Sequence, residues 1–185
     1  MIVRTLAAAV IAMSVALPAT ADEVEETIEA ALEAYRAGDI KAAKEEIDFV
    51  SQLLGQLKAE GLKGFLPEPM DGWTREDNET QNVAAFGGGQ VASARYSDGT
   101  NDVEIQLMAD NQMVTAMAAM FGNATLMGAM GTVKRINRQK LVLTNEGEVQ
   151  SLVNNRIMVQ ITGSADPDTK LAYFEALDMD GLKDF

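Results

Sequence analysis

DVEIQLMADNQMVTAMAAMFGNATLMGAMG, residues 102–131, joins two textures, and the junction between them decides the fold. In its first residues Val103, Ile105 and Leu107 alternate with Asp102, Glu104 and Gln106, the period of a strand with one dry and one wet face. Such alternation suits an antiparallel sheet covered on one side, rather than a parallel sheet buried on both. Residues 111–131 then form the long apolar helix of the main domain. Asp110 or Asn111 caps it, and it runs at least from Gln112 to Phe121 before Gly122 and Asn123 weaken or end it. Met113, Met117, Met120 and Met127 recur at helical spacings, with Ala124 in the matching place, so one face of a continuous helix carries a thioether stripe. A sheet with one wet face needs an apolar cover on the other, and the stripe is read as that cover.

Downstream, residues 132–136, 140–144, 149–153 and 156–162 are short β-runs. Asn137-Arg138-Gln139, Asn145-Glu146-Gly147 and Asn154-Asn155 connect them tightly enough for hairpins, which makes a meander. Asp166 and Pro167 supply the cap and first residue of a helix reaching about Leu177, with Leu171, Phe174 and Leu177 inward. The tail, residues 178–185, is expected across the sheet edge or surface. Upstream, residues 90–96 pair with 102–108 through the turn 97–101, and residues 74–80 and 83–86 read as weaker strands. Gly87-Gly88-Gly89 lacks the lysine and hydroxyl residue of a phosphate loop, so it reads as a turn or bulge.

The N-terminal part is helical. Residues 22–38 place Val24, Ile28, Ala31, Leu32 and Tyr35 on one face, and Gly38 stops the helix. Asp39 caps a second helix over residues 40–60, whose apolar face holds Ile40, Ala43, Ile47, Val50, Leu54 and Leu57. The turn Ala34-Tyr35-Arg36-Ala37-Gly38-Asp39 with Ala42-Ala43 resembles that of a tetratricopeptide unit, but no second copy follows. A lone hairpin cannot bury its face by itself, so it must pack on the next domain or on a partner.

The reading divides the chain into a signal peptide at 1–21, a helical hairpin at 22–60, a linker at 61–72 and an α+β sheet domain at 73–185. Arg4, the apolar run 6–17, and Ala19 and Ala21 in the small-residue positions make the first segment a secretory signal cleaved after Ala21. Cleavage takes the net charge from −13 to −14, because Arg4 is the only charge removed. The expected address is the bacterial periplasm, with no transmembrane segment after cleavage. An acidic surface makes nucleic acid and anionic lipid poor partners. The chain has no cysteine and no histidine, which removes disulfides, Ser-His-Asp and Cys-His catalysis, and the common zinc and haem ligands.

Phe65-Leu66-Pro67-Glu68-Pro69 with Gly72-Trp73, followed by strands, a helix and a meander, resembles the opening of a PsbP/Mog1-like α+β sandwich. With its N-terminal hairpin the chain also resembles small secreted proteobacterial proteins of uncharacterised function that join a helical hairpin to such a domain. The resemblance implies the fold and a binding or assembly role, and carries over no catalytic residue.

These readings converge on an α+β protein: a helical hairpin followed by an antiparallel sheet with helices mainly on one face. Its expected role is non-catalytic, binding or assembling with another periplasmic protein, with no cofactor. One alternative is a copper(I) carrier using Met113, Met117 and Met120, completed by Met127 or Met130, since thioethers are soft ligands. Another is a hydrolase using paired carboxylates. Asp98, Asn101 and Asp102, like Asp178, Asp180 and Asp184, lack the spacing of a calcium loop and read as solvated turns. Arg135, Arg138, Lys140 and Arg156 read as the polar face of strands, and Trp73 and Tyr96 as core or rim.

Overall fold

A computed structural model of the protein describes residues 21–78, 81–82 and 89–185. The signal segment up to residue 20, the strand expected at 83–86, and Gly87 and Gly88 lie outside the described residues. Helix α1 (Ala21–Arg36) and helix α2 (Ile40–Lys63) form the expected hairpin. Gly38 turns the chain with φ +81°, a left-handed conformation that only glycine adopts without strain. The Asp39 carboxylate then accepts from the Ala42 amide at 3.0 Å, closing one of the open donors of α2. Helix α2 continues past Gly61 to Lys63, where fully buried Leu62 anchors its last turn in the sheet core.

The strands follow as β1 (Thr74–Asp77), β2 (Gln81–Asn82), β3 (Gln90–Ser97), β4 (Asp102–Ala109), β5 (Gly131–Ile136), β6 (Gln139–Thr144), β7 (Val149–Val153) and β8 (Ile157–Thr162). Among the described residues they make one antiparallel sheet in the order β1-β3-β4-β8-β7-β6-β5, with β2 also on β3. The meander β5 to β8 therefore folds back from the far edge until β8 lies beside β4. Asn137 and Arg138 take φ +49° and +64°, the both-positive pattern of a two-residue hairpin turn, and Ile136 pairs with Gln139 across it.

The dry face is the one that alternation marks. Val103, Ile105 and Leu107 are fully buried with Ala92, Ala94 and Tyr96 of β3 and Ile157, Val159 and Ile161 of β8. Their cover is the end of α2, Leu66, helix α5 (Pro167–Glu175) and helix α6 (Met179–Asp184). Helices thus gather mainly on one face. Pro167 begins α5 behind an Asp166 cap, and Phe174 and Leu177 point inward as expected; Tyr173, completely buried, joins them. Each large apolar side chain so enclosed contributes about 1.5–3 kcal/mol. The tail differs from its expected surface path. Residues 179–184 are helical, and Met179 and Leu182 are core, because their spacing of three puts both on one helix face.

The largest correction concerns the residues that join the two textures. They break at Gly122 and Asn123, where the helix is expected to weaken or end, so what is overturned is the continuous thioether stripe and its place as cover. Helix α3 (Gln112–Phe121) ends at Gly122, Asn123 caps helix α4 (Ala124–Met130), and the two axes differ by 103°. Asn123 Oδ1 accepts from the amides of Thr125 and Leu126, so a fresh helix start replaces propagation. This pair lies on the reverse face. Val114 packs there on Leu152 and Met158, joined by Met108, Met117 and Phe121, as a second, smaller core. Only Val114 of α3 and Met127 of α4 are buried, so the methionine stripe is not the cover of the main core.

Candidate functional site

The hairpin leaves half of its apolar surface uncovered. Between the helices, Val24, Val50 and Leu53 form a small core, with Ala31 and Ala43 also buried. Ile28, Leu32 and Tyr35 on α1 and Ile40, Ile47 and Leu54 on α2 stay exposed, although the apolar faces contain them. At 3.6 residues per turn they form the outer shoulders of the two stripes, turned from the partner helix by about a sixth of a circle. All of them but Leu54 line an open groove of ≈ 520 Å³, together with Ala31, Ala43 and Lys44. The sheet domain contributes none of this lining. It holds only the other half of α2, through Ala59 and Leu62 and an ion contact of 3.6 Å between Lys58 and Asp110.

The two rims of the groove differ in charge. On α2, Lys44 pairs with Asp48 at 2.6 Å and Lys41 with Glu45 at 3.6 Å, so that rim is close to neutral. On α1, Glu25 and Glu29 stand beside the exposed shoulder and have no ion-pair partner among the described residues. An apolar floor with one acidic wall can hold an apolar face that carries basic residues along one side.

Of the copper residues, Met113 is 59% and Met120 37% exposed, Met117 is half-buried against the smaller core, and Met127 is buried on α4 across the bend. The structure therefore keeps Met113, Met117 and Met120 on one short helix and places Met127 on the next. Seven residues of helix separate Met113 from Met120 by about 10.5 Å along the axis.

The carboxylates are spread among structural tasks. Asp98 accepts from the amides of Thr100 and Asn101 at 2.7 and 2.6 Å, which holds its carboxyl below the usual range. The Asp102 carboxyl is lowered first by the Ser164 hydroxyl and also by Arg95. Asp178 caps α6, and Asp180 pairs with Lys183 at 2.7 Å. Glu68 and Asp77 share a shallow cleft, where Asp77 is bound at 2.6 Å to Arg75, itself fixed to the carbonyls of Leu66 and Pro67. No group of three or more Asp or Glu positioned to hold a metal occurs among the described residues. Trp73 and Tyr96 are both structural: Tyr96 is fully buried, and Trp73 meets Tyr173 edge-on at 5.6 Å.

The basic residues divide. Arg156 makes two bonds of 3.0 Å to Asp110, whereas Arg135, Arg138 and Lys140 meet at a second cleft under the α3–α4 elbow.

The fold and its open groove define an α+β protein with a projecting helical hairpin. In comparisons with known proteins the chain matches no family profile, no curated protein and no solved structure.

Proposed function

We propose that the chain is a secreted, non-catalytic binding or assembly protein of the periplasm, whose hairpin groove docks a helix of another protein. One observation carries this reading: Ile28, Leu32, Tyr35, Ile40 and Ile47 make a single apolar furrow that no other part of the described chain fills. An amphipathic helix laid there would give the small hairpin core a third layer. The test is co-purification with the tagged full chain from periplasmic extract, beside a Leu32→Glu/Ile47→Glu variant. A stoichiometric partner held by the parent and lost from the variant supports docking. The same proteins on both columns would remove the groove from the account.

A second reading, copper(I) carriage, is supported by the exposure of Met113 and Met120 on one helix. A competition titration with a copper(I) chelator tests it. Binding by the parent no tighter than by a Met113→Leu/Met117→Leu/Met120→Leu variant ends it.

A further inference from the structure

In the β5–β6 hairpin Arg135 stands directly opposite Lys140. Like charges in that position repel, and natural hairpins usually oppose them with acids. This chain has 28 acidic residues against 15 basic ones, yet neither Arg135 nor Lys140 has an ion-pair partner among the described residues. Arg138, in the turn, adds a third cation; it also feels Asp180, which is already paired with Lys183. Arg135 Nε donates to the Arg138 carbonyl at 3.2 Å, which orients its guanidinium over the turn. These three line a cleft of ≈ 300 Å³ whose remaining walls are Phe121, Met127, Leu152, Gln139 and Asn155. Met127 and Leu152 are buried, so the apolar wall is fixed by packing.

We infer that this cleft binds a small organic anion with an apolar body, its phosphate or carboxylate on Arg135, Arg138 and Lys140 and its apolar part against Phe121, Met127 and Leu152. Guanidinium groups suit such oxyanions because their planar donors match the acceptor geometry. A bound anion also removes the repulsion between Arg135 and Lys140, so occupancy stabilises the hairpin. The volume is at the lower end of small-molecule sites, about 300–1,000 Å³, and suits a compact ligand. The site is separate from the hairpin groove and does not depend on it.

Octyl phosphate below its micelle concentration is the probe, titrated by calorimetry into the full chain, with inorganic phosphate, octanol and phosphatidylglycerol vesicles as parallel arms. Octyl phosphate should bind about tenfold tighter than inorganic phosphate, octanol should not bind measurably, and Arg135→Gln/Lys140→Gln should weaken octyl phosphate by tenfold or more. Without ligand the single variant Lys140→Gln, which keeps the Arg135 bond to the Arg138 carbonyl, should melt no lower than the parent, since it loses a repulsion. Equal binding by parent and the double variant, equal affinity for octanol, or loss of binding in Ile47→Glu instead would overturn the proposal. So would a Lys140→Gln variant that melts below the parent. Binding to vesicles but not to monomeric octyl phosphate would overturn it in favour of a membrane surface.

Discussion

The Tyr96 hydroxyl, on β3, donates to the Pro67 carbonyl at 2.7 Å within the core. Pro67 lies just beyond α2, so this bond fastens the segment that carries the hairpin onto the central strands. Tyr173 lies tilted beside Tyr96 with ring centroids 4.6 Å apart, and its hydroxyl accepts from the Met70 amide at 3.4 Å in the same corner. Burial pushes the Tyr96 hydroxyl pKa well above its ordinary value, so it stays a donor throughout the accessible pH range.

Tyr96→Phe removes that donor and leaves the Pro67 carbonyl with the Arg75 bond alone. The expected loss is about 0.5–1.5 kcal/mol, and the melting temperature falls by a few degrees. Urea unfolding measures it; an unchanged midpoint would mean the corner rearranges freely.

Groove and core residues should separate cleanly in stability. Leu32→Ser and Ile47→Ser lie on exposed shoulders and should cost little, within about 0.5 kcal/mol, whereas Leu62→Ala, fully buried, should cost about 2–5 kcal/mol. Thermal unfolding of the three variants checks this. A large loss in the groove variants would show that the groove is filled within the folded chain.

Asp110 combines a backbone and a side-chain role. Its φ is +52°, and its carboxylate takes two bonds from Arg156 and the Lys58 contact. Asp110→Gly loses only the charge, while Asp110→Ala also strains the left-handed backbone, so alanine should be the worse by about 1 kcal/mol. Chemical denaturation of both variants decides it, and equal stability would contradict the left-handed turn.

The acid branch of the stability profile follows from four carboxyls. Asp98, Asp102, Asp166 and Asp180 are all held below their ordinary range, the last two chiefly by Thr169 and Lys183. Their folded pKa lies below the unfolded value of about 3.9, so their stabilisation is present above that pH and is lost as pH falls through the folded values. With no histidine, no side chain of ordinary pKa titrates between about pH 5 and 8. Urea midpoints should therefore change little from pH 8 to 5 and fall below pH 4. A marked fall between pH 7 and 5 would point to a titrating group elsewhere.

Much of this architecture is legible in local pattern. The alternation of Val103, Ile105 and Leu107 marks the dry face, Asp39 and Asp166 mark helix starts, and Asn137-Arg138 marks a hairpin turn. What local pattern cannot supply is which side of the sheet an apolar helix takes. The methionine spacing continues through Gly122 and Asn123, but the cap at Asn123 outweighs it and turns the chain by 103°. The groove was half legible. Apolar stripes on α1 and α2 are wider than one helix contact requires, yet only tertiary packing shows that the sheet leaves their outer shoulders bare. The basic cleft was less accessible, because the expected three-residue connection Asn137-Arg138-Gln139 would set Ile136 opposite Lys140, whereas the two-residue turn that forms sets Arg135 there. Its apolar wall comes from α3, α4 and β7, far apart in sequence, and could not be read from spacing.

Photo-crosslinking in living cells tests the docking groove most directly. A benzophenone side chain at Leu32 or Ile47 of the full chain should give one discrete adduct with a second protein, absent when the probe replaces Glu146 on the β6–β7 turn. No adduct from either groove position, or the same adduct from residue 146, would contradict a hairpin built to hold a partner.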